Sequence, residues 1–256
     1  MQVKKGIKIK LTKIDKGEKE EISDLVAREV SFSILLNEKK IATLQCTPDN
    51  YKCLGIGFLY SSGFIHEKKD ILSIKIDNKN ALMDLKMKDF TGTHNGSTKD
   101  FLQVGIYKIE KRKNKLRLKD FSLHIKKNQV FELMIKMQQK ANVFQLTGCT
   151  HSCALANKNG IILFDEDISR YNTIDKIIGK AFLENRDTSD KIIFTSCRLT
   201  SGVLSKIIST KIPIVISRSA ATDEAVKLAK QFGVTLVGFV RGEKMNIYSH
   251  PERIDL

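Results

Sequence analysis

The sequence predicts an α/β protein. From Ile161 onward, short apolar runs alternate with stretches of helical period, and the loops between them are short. The first half differs, reading as paired strands around a single helix. Together these patterns place a smaller α+β unit over residues 1–125 and an α/β unit over residues 126–256.

The elements can be justified in chain order. Val30–Leu36 and Lys40–Thr47 flank Asn37-Glu38 as a hairpin. Pro48 suits the first turn of a helix, and Gly63 follows its last apolar residues as a stop. Ile71–Ile76 and Ala81–Met87 read as two further strands. A polar, glycine-containing loop spans Asp89–Lys99, and a basic hairpin runs from Ile106 to Leu118. Asn128 is the expected cap of a helix reaching about Lys140, with Phe131, Met134 and Ile135 offered to the core.

After this boundary, Ile161–Phe164 is a strand, and Ile174, Ile177, Ile178 and Phe182 form one helical face. Ile192–Thr195 is the next strand; Val203, Leu204, Ile207 and Ile208 form the next face. Ile212–Ile216 is a buried run, and the helix of Val226 and Ala229 stops at Gly233 before the strand Leu236–Val240. Such alternation demands a sheet with at least some parallel strands.

Composition narrows the function. Lysine and arginine number 44 against 29 carboxylates, a net charge of +15 that attracts polyanions. Tryptophan is absent and no aromatics are interleaved with arginine, so a nucleic-acid platform is not expected. The longest apolar stretch, around Leu54–Tyr60, falls far short of the ~20 residues that cross a bilayer. The N-terminus alternates lysine with isoleucine or leucine and has no secretory apolar block. With five cysteines, an odd number, this predicts reduced thiols in a cytoplasmic protein without membrane association.

Four polar clusters fall at strand–helix junctions, where ligands gather in such sheets. Thr147–Cys153 holds Cys149, His151 and Cys153 at alternate positions, which on an extended chain places all three on one side. These types suit a zinc site with Cys197 as fourth ligand, or sulfur chemistry at a thiol whose pKa a cationic histidine lowers. Asp165–Asn172 opens the next helix with Asp167, Arg170 and Asn172, with Asp175 beyond; anion binding and simple capping both fit. Thr195–Ser201 contributes Ser196, Cys197 and Arg198, a phosphate-binding set or a plain N-cap. Phe239–Lys244 ends the last parallel-type strand with Phe239, Val240, Arg241, Gly242, Glu243 and Lys244. It reads either as a phosphate grip or as a surface turn.

The ordered set TGCTHSCAL, DEDISRYNTIDKIIGKA, TSCRLTSGVL, IPIVISRSAAT and LVGFVRGEKMNIYSHPERI resembles the C-terminal domain of the FdhD family of formate dehydrogenase accessory sulfurtransferases. Val26–Ile65 is similar to that family's first domain. The resemblance implies a C-terminal cytidine-deaminase-like three-layer fold with a mixed sheet. Deaminase catalysis is not implied, consistent with the missing H-x-E and P-C-x-x-C elements.

It implies a homodimeric sulfur carrier. Sulfur comes as a persulfide from a cysteine desulfurase and passes to the molybdenum or tungsten bis(guanine-dinucleotide) cofactor of formate dehydrogenase. Guanine nucleotides would then mimic the bound substrate. By match to the family's FVRGEK element, Phe239 to Lys244 contact the cofactor. By similarity, Asp167, Arg170, Asn172, Asp175, Ser196 and Arg198 line the nucleotide pocket.

One departure stands out. The family's persulfide cysteine lies in an interdomain loop that here reads Thr91–Gly96, with Thr93 in the thiol's place. A hydroxyl cannot carry a sulfane sulfur. Relocation to Cys149, Cys153 or Cys197, with His151 stabilising the thiolate, is the first expectation. A cofactor-holding chaperone without sulfur transfer and a zinc-binding variant are the alternatives.

Overall fold

The structure is a computed structural model that describes residues 5–88, 117–118 and 122–256. The Asp89–Lys99 loop with Thr93, and the Ile106–Leu118 hairpin apart from its last two residues, lie outside the described residues.

The chain begins with an antiparallel ribbon that the sequence reading did not anticipate, β1 (Gly6–Asp15) and β2 (Glu18–Ala27). The predicted hairpin follows as β3 (Val30–Leu36) and β4 (Lys39–Cys46). Its turn residues Asn37 and Glu38 both take positive φ, 51° and 67°. A two-residue turn that matches strand twist requires this conformation.

Helix α1 (Tyr51–Ser61) starts from Asn50, so Pro48 precedes the first turn instead of occupying it. Strands β5 (Ile71–Asp77) and β6 (Leu82–Met87) complete a four-stranded sheet in the order β4-β3-β6-β5. Phe32, Ile34, Leu36, Met83 and Leu85 from the sheet share a core with Leu54, Ile56, Phe58 and Leu59 of α1.

The second half is a sheet between helices. Its elements are β7 (Ile125–Lys126), α2 (Lys127–Gln139), α3 (Asn142–Thr147), β8 (His151–Asn157), β9 (Gly160–Asp167) and α4 (Arg170–Leu183). They continue with β10 (Ile192–Thr195), α5 (Ser201–Ile208), β11 (Ile214–Ser217), α6 (Asp223–Phe232), β12 (Thr235–Arg241), β13 (Lys244–Ser249) and β14 (Ile254–Asp255). The sheet order is β13-β12-β11-β10-β8-β9, with β10, β11 and β12 parallel and the flanking pairs antiparallel. Helices α4, α5 and α6 bury Ile174, Ile177, Val203, Ile207, Ala229 and Phe232 against one face. Helix α2 covers the other, over Ala154, Phe194 and Ile216.

Two details of α2 correct the sequence reading. The helix begins at Lys127, so Asn128 lies within its first turn and does not cap it. Val130, Leu133, Met134 and Met137 make its buried stripe, while Ile135 remains 50% exposed and Phe131 only partly covered.

The halves meet where α1 crosses α4. A buried ionic seam follows that crossing. The Lys176 ammonium reaches Asp167 at 2.8 Å, Asp49 at 2.7 Å and the Thr47 hydroxyl at 2.8 Å. Lys206 pairs with Asp175 at 2.9 Å, and the Ser61 hydroxyl donates to the same carboxylate. Asn50 donates to Asp165, which also pairs with Lys180 and Lys5. Buried charges are tolerable only when paired this completely.

Candidate functional site

Sheet topology gathers the predicted clusters at one edge. Strands β10, β11 and β12 run parallel and end together at Thr195, Ser217 and Arg241. β8 is antiparallel to β10, so it begins at that same edge with His151, and β9 ends there with Asp167 opposite His151. This is the carboxyl-end crevice where open α/β sheets hold ligands.

Short hydroxyl contacts fix the loops of this edge. The Ser196 hydroxyl accepts from the Ser152 amide at 2.9 Å, and the Ser196 amide donates to the Ser152 carbonyl at 3.0 Å. Ser219 Oγ donates to the Ser196 carbonyl at 2.8 Å, and the Phe239 amide donates to the Ser219 carbonyl at 3.1 Å. Phe239 sits at φ 53°, a conformation uncommon outside glycine, and Arg241 stands over its ring at 5.8 Å. Arg241 Nε also donates to the Arg218 carbonyl at 3.3 Å. Gly238 has to be glycine, since an added Cβ would lie 2.7 Å from the Ser219 carbonyl oxygen.

These loops enclose a cavity of about 410 Å³ lined by Gly148, Cys149, Thr150, His151, Ile168, Ser196, Arg218, Ser219 and Arg241, with Phe144 at its rim. A second cavity of about 330 Å³ shares Phe144, Ser196 and Arg218 and is walled by Ile135, Met137 and Ala141. A third, near 90 Å³, shares Arg218 and Arg241 with Val240 and Gly242. Arg218 borders all three. Two guanidiniums and the Ser196 hydroxyl around one opening provide the donor set a phosphate group needs.

The three thiols have different environments. Cys149 is exposed and lines the 410 Å³ cavity. Cys153 and Cys197 are buried, and desolvation pushes both thiols up. Because β8 is inside the sheet, the Cys153 side chain enters the α4–α6 core while Cys149 precedes the strand. The predicted one-sided Cys-His-Cys array therefore does not form. Among the described residues no group of three or more His, Cys, Asp or Glu side chains could hold a metal ion. The alternative of a zinc set from Cys149, His151, Cys153 and Cys197 is not supported by this arrangement.

His151 needs a correction of role. Burial lowers its pKa, and the nearby charges of Arg170 and Arg198 lower it further, against a smaller opposing effect of Asp167. These effects favour the neutral imidazole, and the fixed positive charge around the cavity that Cys149 lines comes from Arg218 and Arg241.

The expected nucleotide residues divide. Ser196, Val240, Arg241 and Gly242 line the cavities, and Phe239, Glu243 and Lys244 are exposed on the adjoining turn. Arg198 is exposed at the same edge. Arg170 lies partly buried, its Nη2 donating to the Tyr171 hydroxyl and its Nε without a hydrogen-bond partner among the described residues.

Asp167, Asn172 and Asp175 belong elsewhere. All three are buried in the seam, where Asn172 donates to the Gln45 carbonyl and to Asp167. Asp167 ends β9 beside Thr47, while Asn172 and Asp175 lie in α4 and bond to Gln45 and Ser61 of the first half. The sequence reading missed Arg218 and Ser219. The strand-end rule that identified the other clusters applies equally to Ser217-Arg218-Ser219, which follows the buried run Ile212–Ile216.

Residues 27–255 match the family model described as FdhD/NarQ. The chain belongs to the FdhD/NarQ family. Relatives in this family include the sulfur carrier protein FdhD of Shouchella clausii, 33% identical over 254 residues and covering 94% of this chain and 93% of that one. The sulfur carrier protein FdhD of Sulfolobus acidocaldarius is 34% identical with full coverage of both chains. A crystal structure assigned as a formate dehydrogenase accessory protein from Desulfotalea psychrophila superposes with a TM-score of 0.81 at 25% identity, over 97% of this chain and 99% of that one. Family membership thus extends across both sheets and includes the strand-end edge.

Proposed function

We propose that this chain is a sulfur carrier accessory to formate dehydrogenase, with Cys149 as the carrying thiol. One observation supports this above others. Cys149 is the exposed cysteine that opens onto the cavity of Arg218 and Arg241. Reactive thiols need such accessible, electropositive surroundings.

In this reading the Cys149 thiolate attacks the outer sulfur of a cysteine desulfurase persulfide. A sulfur–sulfur bond forms at Cys149 as the desulfurase bond breaks, and the desulfurase thiolate leaves, so no oxidant or reductant is consumed. The guanidiniums hold the phosphates of the molybdenum or tungsten bis(guanine-dinucleotide) substrate next to the loaded thiol. Ser196, Ser219 and the Phe239–Lys244 turn complete the grip, with Arg198 and Arg170 adding positive charge behind it.

The sheet order, with three parallel strands flanked by the antiparallel β8–β9 pair on one side and antiparallel β13 on the other, supports a cytidine-deaminase-like frame over residues 126–256, joined to a separate domain of residues 1–125. No helix among the described residues is long and apolar enough to cross a membrane, and we place the carrier in the cytoplasm.

Incubation with a cysteine desulfurase and cysteine, followed by mass spectrometry, tests the proposal. One added sulfur on Cys149 is expected; no persulfide on any cysteine rules out the carrier role. The second reading is a cofactor-holding chaperone without transfer. Thr93 in the family's cysteine position favours it, as does the burial of Cys153 and Cys197. It requires that a variant lacking all five cysteines still activates formate dehydrogenase.

A further inference from the structure

Glu166 lies near the end of β9, paired with Ser152 of β8, and is only 3% exposed. Its carboxylate partners among the described residues are all neutral donors. The Val143 amide donates at 3.0 Å, the Phe144 amide at 2.9 Å and the Thr150 hydroxyl at 3.0 Å. Burying a carboxyl group without a cation is costly, so its oxygens have to be used fully.

These three bonds fasten one wall of the strand-end cavity. Val143 and Phe144 belong to the first turn of α3, whose orphan amides the carboxylate satisfies, and Phe144 stands at the cavity rim. Thr150 lines the same cavity on the other side of Cys149. Between these anchors the chain turns through Gly148 at φ 66°. The Cys149 amide donates to the Thr147 hydroxyl at 3.2 Å, and that hydroxyl donates to the Val143 carbonyl at 2.7 Å. Cys149 is therefore tethered backward through α3 and forward through Thr150, and both tethers return to Glu166. An exposed thiol gains little position from packing, so these bonds set where it stands.

We infer that Glu166 is a positioning residue that holds Cys149 at the opening it shares with Arg218 and Arg241. This rests on the strand-end reading of the ligand site. A carboxylate that only capped α3 would affect stability and leave the relation between thiol and ligand unchanged.

Ligand protection of Cys149 separates the two roles, with GDP as the probe and iodoacetamide as the alkylating reagent. With GDP at about 20 times its dissociation constant, mass action should slow alkylation of wild-type Cys149 by about twentyfold. In Glu166→Gln, which keeps the shape but turns a donor toward the α3 amides, protection at the same saturation should fall below about threefold. Its calorimetric affinity for GDP should stay within about threefold of wild type, because the guanidiniums are untouched. Circular dichroism establishes that the variant is folded; if it is not, Thr150→Val takes its place, cutting the forward tether alone and losing part of the protection. Equal protection in wild type and the folded variant overturns the inference by itself. So does a fall in GDP affinity beyond about tenfold, which would put Glu166 in the ligand grip. A wild type that binds no GDP, or binds it without protecting Cys149, removes the strand-end reading and the inference with it.

Discussion

Gly57 and Gly179 bring the backbones of α1 and α4 into direct contact. A Cβ added at Gly57 would lie 1.8 Å from the Asp175 carbonyl oxygen, and one at Gly179 would lie 1.9 Å from the Cys53 carbonyl oxygen. The opposing atoms are backbone, which cannot move aside as a flexible side chain can. This close approach lets the short side chains Ser61 and Asp175 bond directly across the seam.

Replacing either glycine by alanine must therefore push the helices apart. Overpacking of a well-filled core costs about 1–3 kcal/mol, and a backbone obstacle puts both variants at or above the upper end. Denaturant unfolding of Gly57→Ala and Gly179→Ala measures the cost; a loss under about 1 kcal/mol in either would show that the crossing tolerates displacement.

The seam predicts a second stability effect, at Lys176. Burial opposes its charge, but Asp167, Asp165 and Asp49 outweigh that cost and hold its pKa above the ordinary lysine value. Lys176→Met leaves the buried Asp167 carboxylate without its cation, a loss of about 3–5 kcal/mol at neutral pH. Because the folded pKa is raised, the stabilisation from Lys176 is fully present below about pH 10.4, the unfolded value, and is lost as pH rises through the folded value. Urea midpoints of wild type and Lys176→Met should therefore converge at strongly alkaline pH.

The two halves were not equally legible in the sequence. The alternation from Ile161 onward locates β10, α5, β11, α6 and β12 because each buried run is framed by turn residues. The β1–β2 ribbon escaped because its alternation is lysine with isoleucine and it packs against little, so periodicity looked like solvated chain. At the site, strand-end logic located Ser196 and Arg241. It could not separate Asp167 and Asp175, which are buried against Thr47 and Ser61 of the first half, from residues that face the cavity, since that depends on how β9 and α4 pack on the first half. Nor does the sequence reveal that Cys153 enters the core while Cys149 stops short of the strand. The difference is set by where β8 begins.

Thiol accessibility should follow the same division. With a charged alkylating reagent on the native protein, Cys149 should react first, while Cys153 and Cys197 should react only as the protein opens. Cys46, pushed up to about 12 by burial and the adjacent Asp167 charge, should be protected as well. Peptide mapping after partial labelling reads the order, and early modification of Cys153 or Cys197 would contradict the packing of β8 and β10.

His151 should titrate with a midpoint below its ordinary value of about 6.5. Protonation would bring a third cation beside Arg170 and Arg198 in a half-buried setting. Above pH 7 its protonated fraction should be smaller than that of an ordinary histidine, so anion binding at the strand ends should vary less on its account than an unshifted imidazole would make it. Ring-proton shifts in an NMR titration provide the midpoint; a value above 6.5 would mean a carboxylate dominates its surroundings.

Arg218 and Arg241 should dominate affinity for a nucleotide diphosphate. Both border the 410 Å³ cavity, and the Arg241 side chain is held by the Arg218 carbonyl, so the two guanidiniums approach one ligand from a shared support. A hydrogen bond to a charged partner contributes about 1.5–3 kcal/mol, so Arg218→Ala or Arg241→Ala should weaken GDP binding by about tenfold to 150-fold. Arg241→Lys should recover only part of the loss, because an ammonium lacks the planar fork that grips two phosphate oxygens. The double variant should lose less than the sum of the two, since removing one guanidinium frees the phosphate from the geometry that the other requires. Calorimetric titration with GDP at two salt concentrations measures all four quantities. Unchanged affinity in both single variants would move nucleotide binding away from this edge of the sheet.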